Sequence, residues 1–410
     1  MMEEKTNERR RLWIISELYY PEETSTGYYL TRIAEGLADE FDVKVISGQP
    51  NYSARGTKAL RHEFRNNVEI FRVSGTTLDK NFIPFRLTNM LTLGTLAFIR
   101  ELRKFKEGDH VLVVTNPPAL PFLTAAAALA KGATYTLLIH DNYPEILIAA
   151  GKLQSGSTIA GVLDRGNRWL YKNATRIIVV GRDMLELVGR KADGLDIPII
   201  VIPNWAELER VSPVPRENNK LLRDLGLMQK FVLLYAGNMG PPNDIESIIE
   251  TADQLRGEPD IHFIFIGAGV KKRFLEQEVL RRSLKNITVL DPRPRDEQID
   301  FLNACDISLV SLVDKMLGVS MPSRTYNILA AGKPIIGIAH EDSELARVVS
   351  EERVGWIVGP GSAAGLIKAI MEAKAYSKNE LADLGKRSRR AAELKYSLSE
   401  AIKSYQAVMR

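Results

Sequence analysis

Short apolar runs alternate along this chain with longer stretches in which apolar positions recur every three or four residues. Leu12 to Ser16, Val43 to Ser47, Val68 to Val73, Val111 to Thr115, Tyr135 to His140, Ile177 to Val180 and Ile199 to Ile202 have the length and β-branched character of strands. Helical stretches such as Gly27 to Glu40 fall between most of them. The alternation then restarts with Phe231 to Ala236, Ile261 to Gly267, Ile287 to Leu290, Ile307 to Val310, Pro334 to Ile338 and Gly355 to Val358. Almost unbroken apolar strands that alternate with helices predict an α/β protein with doubly wound sheets, and the restart predicts two of them. Pro203 to Arg216 has three prolines and little periodicity, which places the linker there. The expected units are 1–205, 206–395 and a last helix within 396–410.

In open sheets of this kind ligands bind outside the carboxyl ends of the strands, so the loops there matter most. The loop after the first strand runs through Glu22 to Gly27, where a missing side chain lets a ligand approach backbone amides. Its plainer reading is a helix cap by Thr24 or Ser25. After the fifth strand comes a polar cluster, His140, Asp141, Asn142, Tyr143, Pro144 and Glu145. His140 is either a satisfied structural histidine or a group facing the cleft, and Asp141 and Glu145 can serve an acceptor or cap the next helix. In the second half, Gly237, Asn238 and Gly240 follow the first strand, and Gly267 and Gly269 follow the second.

The run from Gly318 to Ile336 carries the most chemistry. A helix is expected to start near Pro322, capped by Ser320, with Ser323 and Arg324 adding a hydroxyl and a forked cation to its free amides. That combination suits a phosphate or diphosphate. Gly332, Lys333 and Pro334 end the helix and begin a buried strand. Taken alone, the segment could equally be a proline-started helix packed on a sheet.

This region, with Asp291 to Arg295 and Ala304 to Ser308 before it and Ser343 to Leu345 and Gly355 to Val358 after it, closely resembles the retaining glycosyltransferases of family 4, which have the GT-B fold. The similarity extends to both ends of the chain and is greatest to the subgroup that builds bacterial O-antigen and colanic acid, fucosamine transferases included. The resemblance implies two Rossmann-like domains facing a cleft, with the last helix, Leu398 to Met409, returning to the first domain. It further implies a nucleoside-diphosphate sugar as donor, UDP-linked by default, and no cofactor. Donor binding falls to Gly27, Gly237, Asn238, Gly240, Gly267, Gly269, Arg293, Lys315, Ser320, Pro322, Ser323 and Asn327. His140, Asp141 and Arg324 fall to catalysis, and Glu22, Tyr143 and Glu145 to the acceptor side. The acceptor implied is a sugar on a polyprenyl diphosphate.

The chain departs from the family at three places. Two glutamates eight positions apart, which in the family contact donor ribose and sugar hydroxyls, are here Val319 and Asn327. The loop after Tyr235 lacks the arginine and lysine that many relatives place on the diphosphate, leaving Arg324, Lys315 and Lys271 or Lys272 as suppliers of charge. These losses keep a non-catalytic nucleotide-sugar-binding subunit open as an alternative, and the shared donor site does the same for a sugar-nucleotide epimerase.

Composition narrows the picture. With 410 residues and 45% hydrophobic content the chain can fill two cores, and its one cysteine, Cys305, excludes an internal disulfide and a thiolate zinc site. No Asp-x-Asp occurs, so metal-independent transfer is expected. The polar Met1 to Arg10 lacks the apolar core of a signal peptide and is expected to be a loose tail in a cytoplasmic protein. A net charge of +4 gives no argument for nucleic acid, but residues 51–110 hold 11 Lys and Arg against 6 Asp and Glu. With Phe82, Ile83, Phe85 and the apolar run Leu87 to Lys106, that surplus suits either an anionic membrane surface or an ordinary amphipathic helix.

Overall fold

The computed structural model describes residues 9–51, 56–76, 78 and 83–410, apart from the side chains of Ile83 and Arg86. The expected tail is therefore described only from Arg9, and Lys80 and Phe82 lie outside the described residues.

Two sheets form, as the restart of the pattern requires. The first contains β1 (Arg11–Ser16), β2 (Asp42–Gly48), β3 (His62–Arg65), β4 (Val68–Val73), β5 (His110–Val114), β6 (Thr134–Ile139), β7 (Arg176–Val179) and β8 (Ile199–Val201). Their order is β3-β4-β2-β1-β5-β6-β7-β8, parallel except for the β3–β4 pair. The sequence pattern does not reveal β3, because His62-Glu-Phe-Arg65 is half polar and pairs only along one side, at the sheet edge. The second sheet contains β9 (Phe231–Ala236), β10 (Ile261–Ile266), β11 (Ile287–Leu290), β12 (Ile307–Ser311), β13 (Ile335–Ile338) and β14 (Gly355–Val358), in the order β11-β10-β9-β12-β13-β14 and parallel throughout. Each order reverses direction once, beside β1 and beside β9. Those reversals leave a crevice at the strand ends, and there the loops of the two sheets face each other.

Helices cover both faces of the first sheet. On one side α1 (Ser25–Leu37) packs with the last helix, Leu398–Met409, so that Leu30, Ile33, Ala401, Tyr405 and Met409 share a core with β1 and β2. Gly36 allows this approach, since a Cβ there would fall 2.6 Å from Ile402. On the other side lie α2 (Ile83–Lys104), α3 (Leu120–Ala130), α4 (Glu145–Ala149), α5 (Thr158–Asn173) and α6 (Arg182–Lys191). One apolar core is continuous across the two domains, running from β5 and β6 through Met184 and Val188 to Met316, Val319, Met321 and Tyr326. Among the described residues no helix is long and apolar enough to cross a membrane.

Candidate active site

Between the two sheets opens a cleft of about 990 Å³. Glu23, Thr24, Ser25, Tyr29 and Asn51 line it from the first domain, where Thr24 caps α1 by accepting from the Gly27 amide at 3.3 Å. The opposite wall is built from the ends of β9, β10, β11 and the loop after β12: Gly237, Asn238, Gly267, Ala268, Pro292, Arg293, Arg295, Ser323 and Arg324, with Gln298 and Asn327 behind them. Two of these loops are zipped together. The Met239 amide donates to Ala268 O at 2.7 Å, and Lys271 N donates to Met239 O at 2.9 Å. Only glycine fits the contact, because a Cβ on Gly267, at φ +151°, would lie 2.0 Å from Gly237 O.

Arg324 begins the helix Arg324–Ala330. Its Nη2 donates to Asn243 Oδ1 at 2.6 Å, its Nη1 to Ala236 O at 3.4 Å, and its guanidinium sits 4.7 Å from the centroid of the Tyr235 ring. Three arginines reach the cleft wall, and their charges are not equivalent. Arg295 forks onto the buried Glu207 at 2.6 and 3.0 Å, and Arg293 pairs with Glu297 at 3.0 Å. Arg324 alone of the three is held by neutral groups, among the described residues. Its charge is thus positioned without being neutralised, as an anion site requires.

The sequence expectation for the helix start needs correction. The helix begins at Arg324 with Ser323 in the cap position and no side-chain cap bond, two residues later than expected. Ser320 does not cap it, because its hydroxyl bonds to Asp141 of the other domain. Neighbouring bonds stitch the same segment to the first domain: Asn142 N donates to Val319 O at 2.9 Å, Asn142 Nδ2 to Gly318 O at 2.7 Å, and Gly318 N to Asp183 Oδ2 at 3.1 Å. Val319, where relatives carry a glutamate, is packed in the shared core at 1% exposure and offers the site no polar group.

His140 and Asp141 follow β6 and sit beside this junction rather than on the wall described above. The His140 Nε2 is buried without a hydrogen-bond partner, and burial pushes the imidazole down to about 4, so it is neutral near pH 7. Burial pushes the Asp141 carboxyl up to about 6, and the bond from Ser320 works against that rise. Glu145 is occupied elsewhere: both its oxygens accept from Lys191, at 2.7 and 2.9 Å, and the same ammonium donates to Tyr143 O at 2.8 Å. Glu22 is buried and takes the Asn51 amide, so it shapes the loop that reaches the cleft.

Of the remaining expected donor residues, Gly27 is buried behind the 23–25 loop, and Gly240, Gly269, Pro322 and Lys315 stand off the cleft wall. Gly269 still serves the wall, since a Cβ there would come within 2.4 Å of Met239 O. The other proposed sources of charge are spent. Lys271 Nζ bonds Asn243 O at 2.7 Å and Glu246 at 2.8 Å, and Lys272 pairs with Asp291.

A network that sequence reasoning missed surrounds Asn327. Its Nδ2 donates to Glu207 Oε1 at 2.7 Å and to Gln298 Oε1 at 2.8 Å, while its Oδ1 accepts from Glu207 N at 2.9 Å. A carboxylate from the linker thus stands beside the position where relatives carry one, and Arg295 ties it to the first domain through Glu23 O at 2.8 Å. The one signal available was Glu207 itself, an acid two residues after Trp205 in the proline-containing linker.

Two facing α/β domains with a cleft at their strand ends define the GT-B fold. Comparison with known proteins gives the family. Residues 25–205 match the glycosyl transferase 4-like domain model, and residues 218–391 match the model for glycosyl transferases group 1. The chain belongs to this glycosyltransferase family and is an enzyme of that class. It is 28% identical over 400 residues to the probable glycosyltransferase WbjE of Pseudomonas aeruginosa, covering 98% of each chain. It is 28% identical over 371 residues to the putative colanic acid biosynthesis glycosyl transferase WcaI of Escherichia coli K12, covering 87% of this chain and 90% of that one. Among solved structures, Anabaena HepE in complex with UDP superposes with a TM-score of 0.72 at 14% identity, over 98% of this chain and 99% of that one.

Proposed function

We propose that this glycosyltransferase moves a sugar from a nucleoside-diphosphate donor, UDP-linked by default, to a polyprenyl-diphosphate-linked acceptor in the synthesis of a bacterial surface polysaccharide, with retention of configuration and without a metal. The observation that carries the donor half is Arg324, whose charge is held at the cleft by Asn243, Ala236 O and Tyr235 and is paired with no carboxylate among the described residues. A leaving diphosphate would meet this guanidinium and the hydroxyl of Ser323, which bonds Ser25 of the facing domain at 3.1 Å. Stabilising charge as it develops on the leaving group lowers the barrier more than binding the intact donor does. The UDP in HepE and the biosynthetic role in the name of WcaI support the same reading. An N-acetylated amino-deoxy sugar is the donor sugar we favour from the subgroup.

The acceptor would enter from the first domain past the neutral His140, and the departing phosphate would take the acceptor's proton. In this reading the positive charge that meets the diphosphate is supplied by Arg324. A lipid-linked acceptor puts the work at a membrane face, and α2 has an outer side suited to that contact. Phe85, Leu87, Leu91, Leu96 and Ile99 are each between 39% and 67% exposed, and Arg103 and Lys104 stand exposed at its end.

Transfer of label from UDP-sugars to a polyprenyl-diphosphate-linked acceptor tests the proposal. Acceptor-dependent label in the lipid fraction is expected. An altered donor without transfer would indicate an epimerase, and no change in either would indicate a binding subunit.

A further inference from the structure

We propose that α5 is a second lipid-contacting element, so that α2 and α5, on either side of α3, seat together on an anionic bilayer. The inference rests on the membrane-face reading above and extends it to a helix that starts 54 residues after α2 ends.

The inner side of α5 is ordinary. Ala160, Asn167, Leu170 and Tyr171 are buried, and Tyr135 donates to Leu170 O at 2.6 Å. Its outer side is not, for Ile159 is 63% exposed, Val162 57% and Trp169 41%. At 100° per residue these three fall within one quadrant of the helix, bordered along one side by Arg165, Arg168 and Lys172, all exposed. An apolar stripe with a basic border and a tryptophan is the pattern of a helix lying in the headgroup boundary.

The neighbouring helices make this a surface rather than a stripe. Gly94 of α2 rests on Leu123 of α3, where a Cβ would lie 2.8 Å from Leu123 Cδ1. Gly166 of α5 rests on Phe122 of α3, where a Cβ would lie 3.0 Å from Phe122 Cε1. Both contacts draw α2, α3 and α5 into one layer. Leu129 adds an exposed apolar side chain from α3.

Charge selects the occupant. The three helices contain two acids, and neither is free: Glu101 is fully buried and accepts from Thr124, and Asp164 pairs with Lys191 at 3.0 Å. Arg103, Lys104, Arg165 and Lys172 remain exposed without an ion pair among the described residues. A protein partner's rim ordinarily mixes both signs, whereas anionic headgroups complement a face that carries only one.

The test uses the full chain and vesicles of phosphatidylcholine with or without phosphatidylglycerol, in a second set with brominated acyl chains. Trp13 and Trp205 are buried at 1% exposure and Trp356 is tied to Glu372 in the other domain, so quenching by bromine reports Trp169. Emission should be quenched on anionic brominated vesicles, and Trp169→Phe should abolish the quenching while the protein still floats. Val162→Asp should weaken flotation about tenfold or more, the equivalent of losing one buried aliphatic side chain. Arg165→Gln and Lys172→Gln should each weaken it about fivefold on anionic vesicles alone. An unchanged thermal shift with UDP shows that each variant is folded. Flotation without quenching of Trp169 and without an effect of Val162→Asp would overturn the role of α5 and leave the α2 reading standing. Absence of flotation on any vesicle would overturn both.

Discussion

Replacing Arg324 separates the roles the cleft assigns to it. In Arg324→Ala the site loses the one guanidinium of the cleft wall that has no carboxylate partner among the described residues, and its basic neighbours are committed elsewhere, Arg295 to Glu207, Arg293 to Glu297 and Lys271 to Glu246. Removing one preorganised donor aimed at developing charge costs about 10²–10³ in kcat, or about 3–4 kcal/mol at the transition state. The ground state should suffer less, so kcat should fall more than donor affinity. Arg324→Lys keeps the charge, but a single ammonium cannot both bond Asn243 and present a fork to a diphosphate. It should therefore recover only part of the rate. Folding should be little affected, since the contact with Tyr235 is worth about 1 kcal/mol. The assay is steady-state transfer at saturating donor, with melting temperature measured in parallel. Turnover of the Ala variant within a few-fold of wild type, in a folded protein, would refute the assignment of the diphosphate to this arginine.

Three other outcomes follow from the same structure. Gly267→Ala should cost on the order of 1–3 kcal/mol or more in stability and loosen donor binding, because its Cβ would strike Gly237 O at 2.0 Å; a melting curve and a UDP titration check both effects. Glu101, whose carboxyl burial lifts to about 8, contributes stability that is complete below its unfolded value near 4.5 and is lost as pH rises through 8; Glu101→Gln should thus raise the melting temperature at pH 8 more than at pH 5, and an equal effect at both would contradict a buried neutral carboxyl. Transfer activity should survive excess EDTA, and complete loss restored by magnesium or manganese would overturn charge stabilisation by the protein alone.

How much of this was legible in the sequence depended on the range of the interaction. Strands such as His110–Val114 and Phe231–Ala236 are largely apolar runs buried on both faces, and a local pattern suffices to find them. The proposed anion site could be named from the sequence as well, because Ser323 and Arg324 are adjacent in the chain. Partners distant in sequence were not. Asn327 meets Glu207 across 120 positions, and Arg182 clasps Glu344 across 162, at 2.9 and 3.1 Å. Ser320 shows the same limit in reverse: a local rule made it a helix cap, but a buried carboxyl on the other domain claims its hydroxyl. Glu145 is similar, since only the fold reveals that Lys191 holds it.

The central claim, that the cleft at Arg324 receives a nucleoside diphosphate, is tested most directly by thermal-shift titration with UDP, UDP-sugars, uridine and inorganic phosphate. UDP at a hundred times its dissociation constant should stabilise the wild-type protein by about 2.7 kcal/mol. Uridine should give much less, and Arg324→Ala should lose most of the difference between the two. Equal shifts with UDP and uridine, or no shift with any nucleoside diphosphate, would contradict the claim.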